Sequence, residues 1–248
     1  YKRQTMSRYN GGKNGAGTYH NIINKIPPHN RYIEICLGSG AILNNKKPAL
    51  ENHGIEIDGG VIQKFNYFPF AFIHQADAIQ WIKDNWHLFT PTTFVYADPP
   101  YPRMSRRNPK NLYQFEMIDE QHRQLLELFL SMPAMVAVST YKNPIYSEML
   151  KDWNLYTFQA QTRKGPATEY LYMNYPEPTH LHEYTFLGEN FTDRQRIKRK
   201  IGREVAKLKK LPVLERNAIL DGIAGLLQHG REPGADHTTP ARVPDRYP

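Results

Sequence analysis

Asp98-Pro99-Pro100-Tyr101 puts a carboxylate, two proline rings and an aromatic face on four successive positions. Those groups suit alkylation of a conjugated amine. The exocyclic nitrogen of adenine is a poor nucleophile because its lone pair is delocalised into the ring. A carboxylate and a backbone carbonyl that accept its two N–H bonds draw the nitrogen toward tetrahedral geometry and free the lone pair. Asp98 supplies the carboxylate and Pro99 the carbonyl, while the prolines stiffen the loop and remove competing donors. Tyr101 offers a face on which a base extruded from its duplex can stack. One specified tetrapeptide occurs by chance on the order of once per thousand chains of this size, which leaves a mere Pro-rich turn as the weaker account.

A second group of residues suits a nucleotide-like ligand. Glu34-Ile35-Cys36-Leu37-Gly38-Ser39-Gly40 reads as a strand running into a tight glycine turn ahead of a helix. Glycine lets backbone approach a ligand and adopt positive φ. About 20 residues further on, Glu56 ends another strand, where an acid can hold a ribose diol. Asp77 ends the next strand and can accept from an adenine amino group, cap the following helix, or do both. Gly11-Gly12-Lys13, preceded by Tyr9, brings a cation that can approach a carboxylate. Cys36 is the single cysteine, so no internal disulfide forms, and no nucleophilic role is assigned to it. The ten histidines are scattered, and His180 and His182 lack a third partner, so no metal site is expected.

These residues need strand ends to hold them. Tyr32–Leu37, Gly54–Ile57, Phe70–His74, Thr93–Ala97 and Met135–Ser139 are short, apolar and rich in β-branched or aromatic residues, as buried parallel strands are. Helix candidates lie between them: Ala78–Asp84, Asn143–Leu150 and, best patterned, Asp119–Ser131 with Asp119 as its expected N-cap. Leu155–Thr162 and Glu169–Tyr175 flank Arg163-Lys164-Gly165-Pro166 and read as a terminal antiparallel pair. The fold class is therefore α/β, with a mostly parallel sheet, helices on both faces and ligands at the carboxyl ends of the strands.

After Pro178 the composition changes. Thr192–Lys210 and Val213–Gln228 read as two helices broken at Pro212, the first docked by a stripe of Ile197, Ile201, Val205 and Leu208. The expected division is a catalytic domain at 1–178, a basic helical extension at 179–230 and a disordered tail at 231–248. The formal net charge is +8, and Arg194–Lys210 alone holds nine basic residues against Glu204, so the rest sums to zero. Arg103, Arg106, Arg107 and Lys110 form a second acid-free cluster. Both favour an anionic partner. No apolar run reaches the roughly 18 residues of a membrane span, and the expectation is a soluble, intracellular protein.

Taken together and in this order, the motifs resemble those of the Dam-like DNA adenine methylases, especially compact phage and prophage members. The resemblance spans roughly Ser7 to Gln228. Tyr9-Asn10-Gly11-Gly12-Lys13 and Glu34–Ile42 are similar to the family's two cofactor motifs, with Ile35 and Cys36 where Pro-Phe is common. Val138–Tyr141, Ala167–Tyr175 and Arg194–Leu220 resemble its later strands and terminal helices. The resemblance implies a Rossmann-like methyltransferase fold and S-adenosylmethionine as cofactor. It implies methyl transfer to N6 of an adenine flipped from duplex DNA, in a bacterial or phage-infected cytoplasm. It implies catalytic roles for Asp98, Pro99, Pro100 and Tyr101. Cofactor contacts fall to Tyr9, Lys13, Glu34, Leu37, Gly38, Ser39, Gly40, Glu56 and Asp77. The basic clusters nominate Arg103, Arg106, Arg107, Lys110, Arg196, Lys198, Lys200 and Arg203 for nucleic acid. Methylation of base amino groups in RNA is the first rival reading, and a catalytically silent nucleic-acid-binding subunit the second. The interval Gly40–Asp98 leaves no room for a separate recognition module, so a short or relaxed target is expected unless a partner protein adds contacts.

Overall fold

The structure, a computed structural model, describes residues 12–15, 17–65, 68–105, 114–162 and 165–229. Seven strands form one sheet: β1 (Arg31–Ile35), β2 (Glu51–Glu56), β3 (Phe72–Gln75), β4 (Thr93–Ala97), β5 (Met135–Thr140), β6 (Asn154–Thr162) and β7 (Gly165–Met173). Their order is β3-β2-β1-β4-β5-β7-β6. The first five are parallel, and β7 runs antiparallel to both β5 and β6. The topology is Rossmann-like, an α/β sheet with one antiparallel strand. Strand order reverses between β1 and β4, which puts a switch point, and hence a ligand crevice, at their carboxyl ends.

Alternation along each buried strand splits the core in two. Ile33, Ile35, Val95, Ala97, Val136 and Val138 face one side, where they meet α4 (Ala78–Asp84), α5 (Asp119–Ser131) and α6 (Pro144–Met149). Tyr32, Phe94, Tyr96 and Ala137 face the other, against α1 (Thr18–Ile23) and α2 (Ala41–Asn45). The interval from Gly40 to Asp98 holds α2, β2, α3 (Gly59–Phe65), β3, α4 and β4. The sheet itself uses that stretch.

Several boundaries differ from the sequence expectation. Strand β2 begins three residues earlier because Glu51 pairs with Arg31 and His53 at the amino end, where polar side chains hid the strand. Strand β3 starts at Phe72, since Ala71 N donates to Phe68 O and makes Phe68–Ala71 a turn. Asp119 is the first helical residue of α5 rather than its cap. Ile118 is the cap, and its N–H donates to Gln121 Oε1 at 3.0 Å. Strand β7 begins at Gly165, four residues early. Pro166 is tolerated there because β5 does not reach it and no donor is needed on that side.

The chain divides into two compact units, Tyr1–Arg194 and Gln195–Pro248. Residues 182–186 belong with the first, where His182 N donates to Ile26 O and Asn24 Nδ2 to Phe186 O. Beyond them come α7 (Phe191–Lys209) and α8 (Val213–His229). No residue of α7 is buried, with Ile201 49% and Val205 43% exposed. Two helices of this length are too few to enclose a core of their own. The expected tail at 231–248 lies outside the described residues. Among those described, no helix is long and apolar enough to cross a membrane.

Candidate active site

Asp98 leaves β4 at the switch point, where its N–H donates to Ile35 O of the neighbouring strand at 3.1 Å. Its carboxylate retains 18% exposure and meets Lys13 Nζ at 2.8 Å from Oδ1. Lys13 is 6% exposed and also donates to the Tyr101 hydroxyl at 2.6 Å. That hydroxyl in turn donates to Glu169 Oε2 at 2.6 Å, and Glu169 Oε1 lies 3.7 Å from Lys13 Nζ. One ammonium thus serves Asp98 directly and Glu169 through the tyrosine. Burial raises Asp98 above the ordinary carboxylate range, opposed by the charge and hydrogen bond of Lys13. Glu169 is raised for the same first reason, opposed by Lys13 and pushed further by Asp98. The Tyr101 ring packs edge-on to Tyr141 at 4.5 Å between centroids, which fixes its plane beside the carboxylate.

Beyond β1 the chain turns through three positive φ values: Cys36 at 58°, Gly38 at 53° and Gly40 at 61°. Cys36 pays a steric cost there that glycine escapes, and burial raises its thiol. Gly40 is obligatory on a second count, since a Cβ would lie 2.5 Å from the Phe68 ring. The Phe68 ring lies against this turn, and Leu37 fills the space left by Gly54. Glu56 reaches the turn from the end of β2. Its Oε2 accepts from Gly38 N at 2.7 Å and its Oε1 from Asp58 N at 3.0 Å. Two backbone donors hold this carboxylate at the strand end with lone pairs to spare. Ser39 Oγ accepts from Asn14 Nδ2 at 3.3 Å, tying the turn to the loop that carries Lys13. Asp77 caps α4, its Oδ1 accepting from Gln80 N at 3.0 Å, which leaves its second oxygen for another donor.

Lys13, Leu37, Gly38, Ser39, Gly40, Glu56, Asp77 and Asp98–Tyr101 therefore gather at the carboxyl ends of β1, β2, β3 and β4. Glu34 stands apart from them. It is 2% exposed, and one oxygen accepts from Tyr32 Oη at 2.8 Å and Leu43 N at 2.7 Å. It anchors α2 from behind the turn, and burial pushes it up to about 8. Tyr9, Arg106, Arg107 and Lys110 lie outside the described residues. Arg103 is exposed on a 3₁₀ turn, Arg103–Ser105, directly after Pro102. Arg196, Lys198, Lys200 and Arg203 are exposed on α7, in the second unit.

The sequence reading gave no site role to Glu169, Tyr141 or Phe68. A signal for Glu169 existed: it is the lone acid between Asn154 and Met173, set in a strand of aromatic and small residues. Among the described residues no cluster of His, Cys, Asp and Glu is arranged to hold a metal ion.

No family model and no curated protein matches the sequence. Among solved structures, the chain is similar to an S-adenosylmethionine-dependent methyltransferase from Agrobacterium tumefaciens, with 12% identity over 62% of this chain and 58% of that one, TM-score 0.40. It is similar to the N-methyltransferase NodS from Bradyrhizobium japonicum WM9, with 11% identity over 60% and 88%, TM-score 0.41. It is also similar to a precorrin-6y C5,15-methyltransferase from Geobacter metallireducens GS-15, with 9% identity over 62% and 84%, TM-score 0.40.

Proposed function

We propose that this chain is an S-adenosylmethionine-dependent DNA methyltransferase that methylates the N6 amino group of an adenine extruded from a duplex. One observation carries the reading. The Asp98 carboxylate, at the switch point and beside the glycine turn, already holds a nitrogen donor at 2.8 Å, the Lys13 ammonium. The target amine requires an acceptor of that kind in that place.

The residues present fit the cofactor. Gly38 and Gly40 let the turn take its positive φ values, and Glu56 is fixed by two backbone N–H groups as an acceptor for a ribose diol. Asp77 keeps an oxygen for an adenine amino group. When bound, S-adenosylmethionine supplies an electrophilic methyl on a sulfonium. The chain's own part is positioning and electrostatics. Asp98 accepts one N–H of the amine and the Pro99 carbonyl the other, leaving the lone pair directed at the methyl. The amine meets the Lys13 ammonium at Asp98, and Glu169 gives that ammonium a second carboxylate to hold. As the nitrogen is alkylated it becomes acidic. Its proton passes to Asp98, whose burial favours the protonated form. The two carboxylates and one ammonium carry a net negative charge that favours positive charge arriving on the amine.

Expression in a host free of adenine methylation, with mapping of modified adenines, tests the reading. N6-methyladenine in DNA is the expected result. Methyl transfer to RNA alone, in side-by-side assays, would move the assignment to the RNA rival, and cofactor binding without transfer to either would favour the silent subunit. The basic face of α7 should add phosphate contacts. Neutralising Lys198, Lys200 and Arg203 is expected to reduce the slope of log affinity against log salt by about 0.9 per contact on duplex DNA. An unchanged slope would remove α7 from the interface.

A further inference from the structure

Strand β5 ends at Thr140, opposite Tyr170 of β7. The β6–β7 pair continues past that point for five more rungs, from Phe158↔Glu169 to Thr162↔Gly165. At about 3.4 Å per residue the hairpin rises roughly 17 Å beyond the carboxyl end of the sheet, the end that carries Asp98. Its two faces differ. Phe158, Ala160 and Glu169 point inward and are buried, with Glu169 completing the Lys13–Tyr101 group. Gln159, Gln161, Pro166 and Thr168 point the other way and are exposed. Gly15 lies against the Gln161 carbonyl, so the loop that carries Lys13 backs the ribbon.

We propose that the outer face of this hairpin reads duplex DNA beside the target base, with Gln159 and Gln161 as the residues that determine flanking specificity. The inference rests on the DNA reading above. A two-stranded ribbon fits the major groove, and a glutamine amide pairs bidentately with N6 and N7 of adenine there. The outer face offers two such amides, two residues apart on one strand. Gln159 is oriented in advance: its Nε2 donates to Thr168 Oγ1 at 2.9 Å, leaving the other N–H and the carbonyl for a base edge. The face is also compatible with phosphate, since the sequence from Asn154 to Thr168 contains no acidic residue. Glu169, on the paired strand β7, anchors the hairpin in the active site, so a ribbon placed in the groove sets the extruded base relative to Asp98.

The test uses the full chain and a duplex library with random bases on either side of one adenine. Methylated molecules are sequenced for the wild type and for the Gln159→Ala/Gln161→Ala variant. The wild type is expected to favour A·T pairs at flanking positions. The variant should lose that preference by about 5- to 150-fold for each bidentate pair removed, with calorimetric affinity for S-adenosylmethionine unchanged. An identical flanking profile in the two proteins overturns the inference and leaves the DNA reading intact. Loss of cofactor affinity or of thermal stability in the variant also overturns it, since the glutamines would then be structural. Absence of DNA methylation by the wild type overturns the reading on which the inference rests.

Discussion

Glu34 with Tyr32 and Lys46, and Asp98 with Tyr101 and Lys13, are two carboxylate–tyrosine–lysine groups on the adjacent strands β1 and β4. They are wired differently. In the first, Tyr32 donates to Glu34, but Lys46 gives its hydrogen bond to Lys47 O and lies over the Tyr32 ring at 4.2 Å. All three are buried, with exposures of 2%, 0% and 4%. Burial, only partly offset by their mutual attraction, drives Glu34 up to about 8 and Lys46 down to about 7, so each is pushed toward neutrality. In the second group Lys13 contacts Asp98 directly, the tyrosine bridges to a second acid, and Asp98 stays 18% exposed. The same residue types make a closed anchor on one strand and an open acceptor on the next. The difference lies in where the ammonium points and whether an oxygen faces the crevice.

The sharpest break of that comparison is a pair of alanine substitutions. Asp98→Ala should lower turnover by about 10²–10⁴-fold while cofactor binding and thermal stability persist. Retention of more than about a tenth of the turnover would remove Asp98 from the chemistry. Glu34→Ala should do the reverse. It leaves the Leu43 N–H and the Tyr32 hydroxyl without their acceptor, at about 1–3 kcal/mol each, and appears as a lowered denaturant midpoint.

Glu56 stands between the two cases, bonded like an anchor yet placed at the crevice. Glu56→Ala should weaken S-adenosylmethionine by roughly a hundredfold, the loss of about 2–3 kcal/mol in charge-assisted hydrogen bonds. Unchanged calorimetric affinity would class it with Glu34 as a brace for Gly38 and shift the ribose site toward Asp58.

The tyrosines divide in the same way. Tyr101→Phe keeps the ring but removes the link from Lys13 to Glu169, at a cost of roughly tenfold in turnover. Tyr101→Ala should add the stacking loss, a further 5- to 150-fold on duplex substrate. Equal damage from both would mean that no base stacks on the ring.

A further test of the comparison concerns pH. Glu34 binds its proton more tightly folded, at about 8, than unfolded, at 4.5. Its contribution to stability is therefore largest at low pH and is lost as pH rises from about 4.5 to about 8. Glu34→Gln mimics the protonated acid. Its melting temperature relative to wild type should climb between pH 5 and pH 8. A constant difference would place an ionised Glu34 in the native state and end the contrast with Asp98.

The sequence alone determined which apolar runs form the parallel strands and which residues follow them, though not every boundary. A buried parallel strand is one contiguous apolar run, and the residues after it sit at its carboxyl end without any long-range pairing. Asp98–Tyr101 after β4, Gly38–Gly40 after β1 and Glu56 at the end of β2 were legible for that reason. Tertiary structure decided which side each carboxylate takes. Glu34 lies in a strand only two residues before Cys36, yet its side chain turns toward α2 because facing is set by the pleat and by what packs on it. Glu169 is 71 residues from Asp98 and enters the site because β7 reverses and pairs with β5 one rung short of it. The extent of the β6–β7 hairpin was hidden likewise. Gly165-Pro166 reads locally as a turn, and only the register with Gln161 and Thr162 makes it a strand. Contacts of this kind depend on strand order and register, which are settled by closing long loops against a shared core, and no short stretch of sequence encodes them.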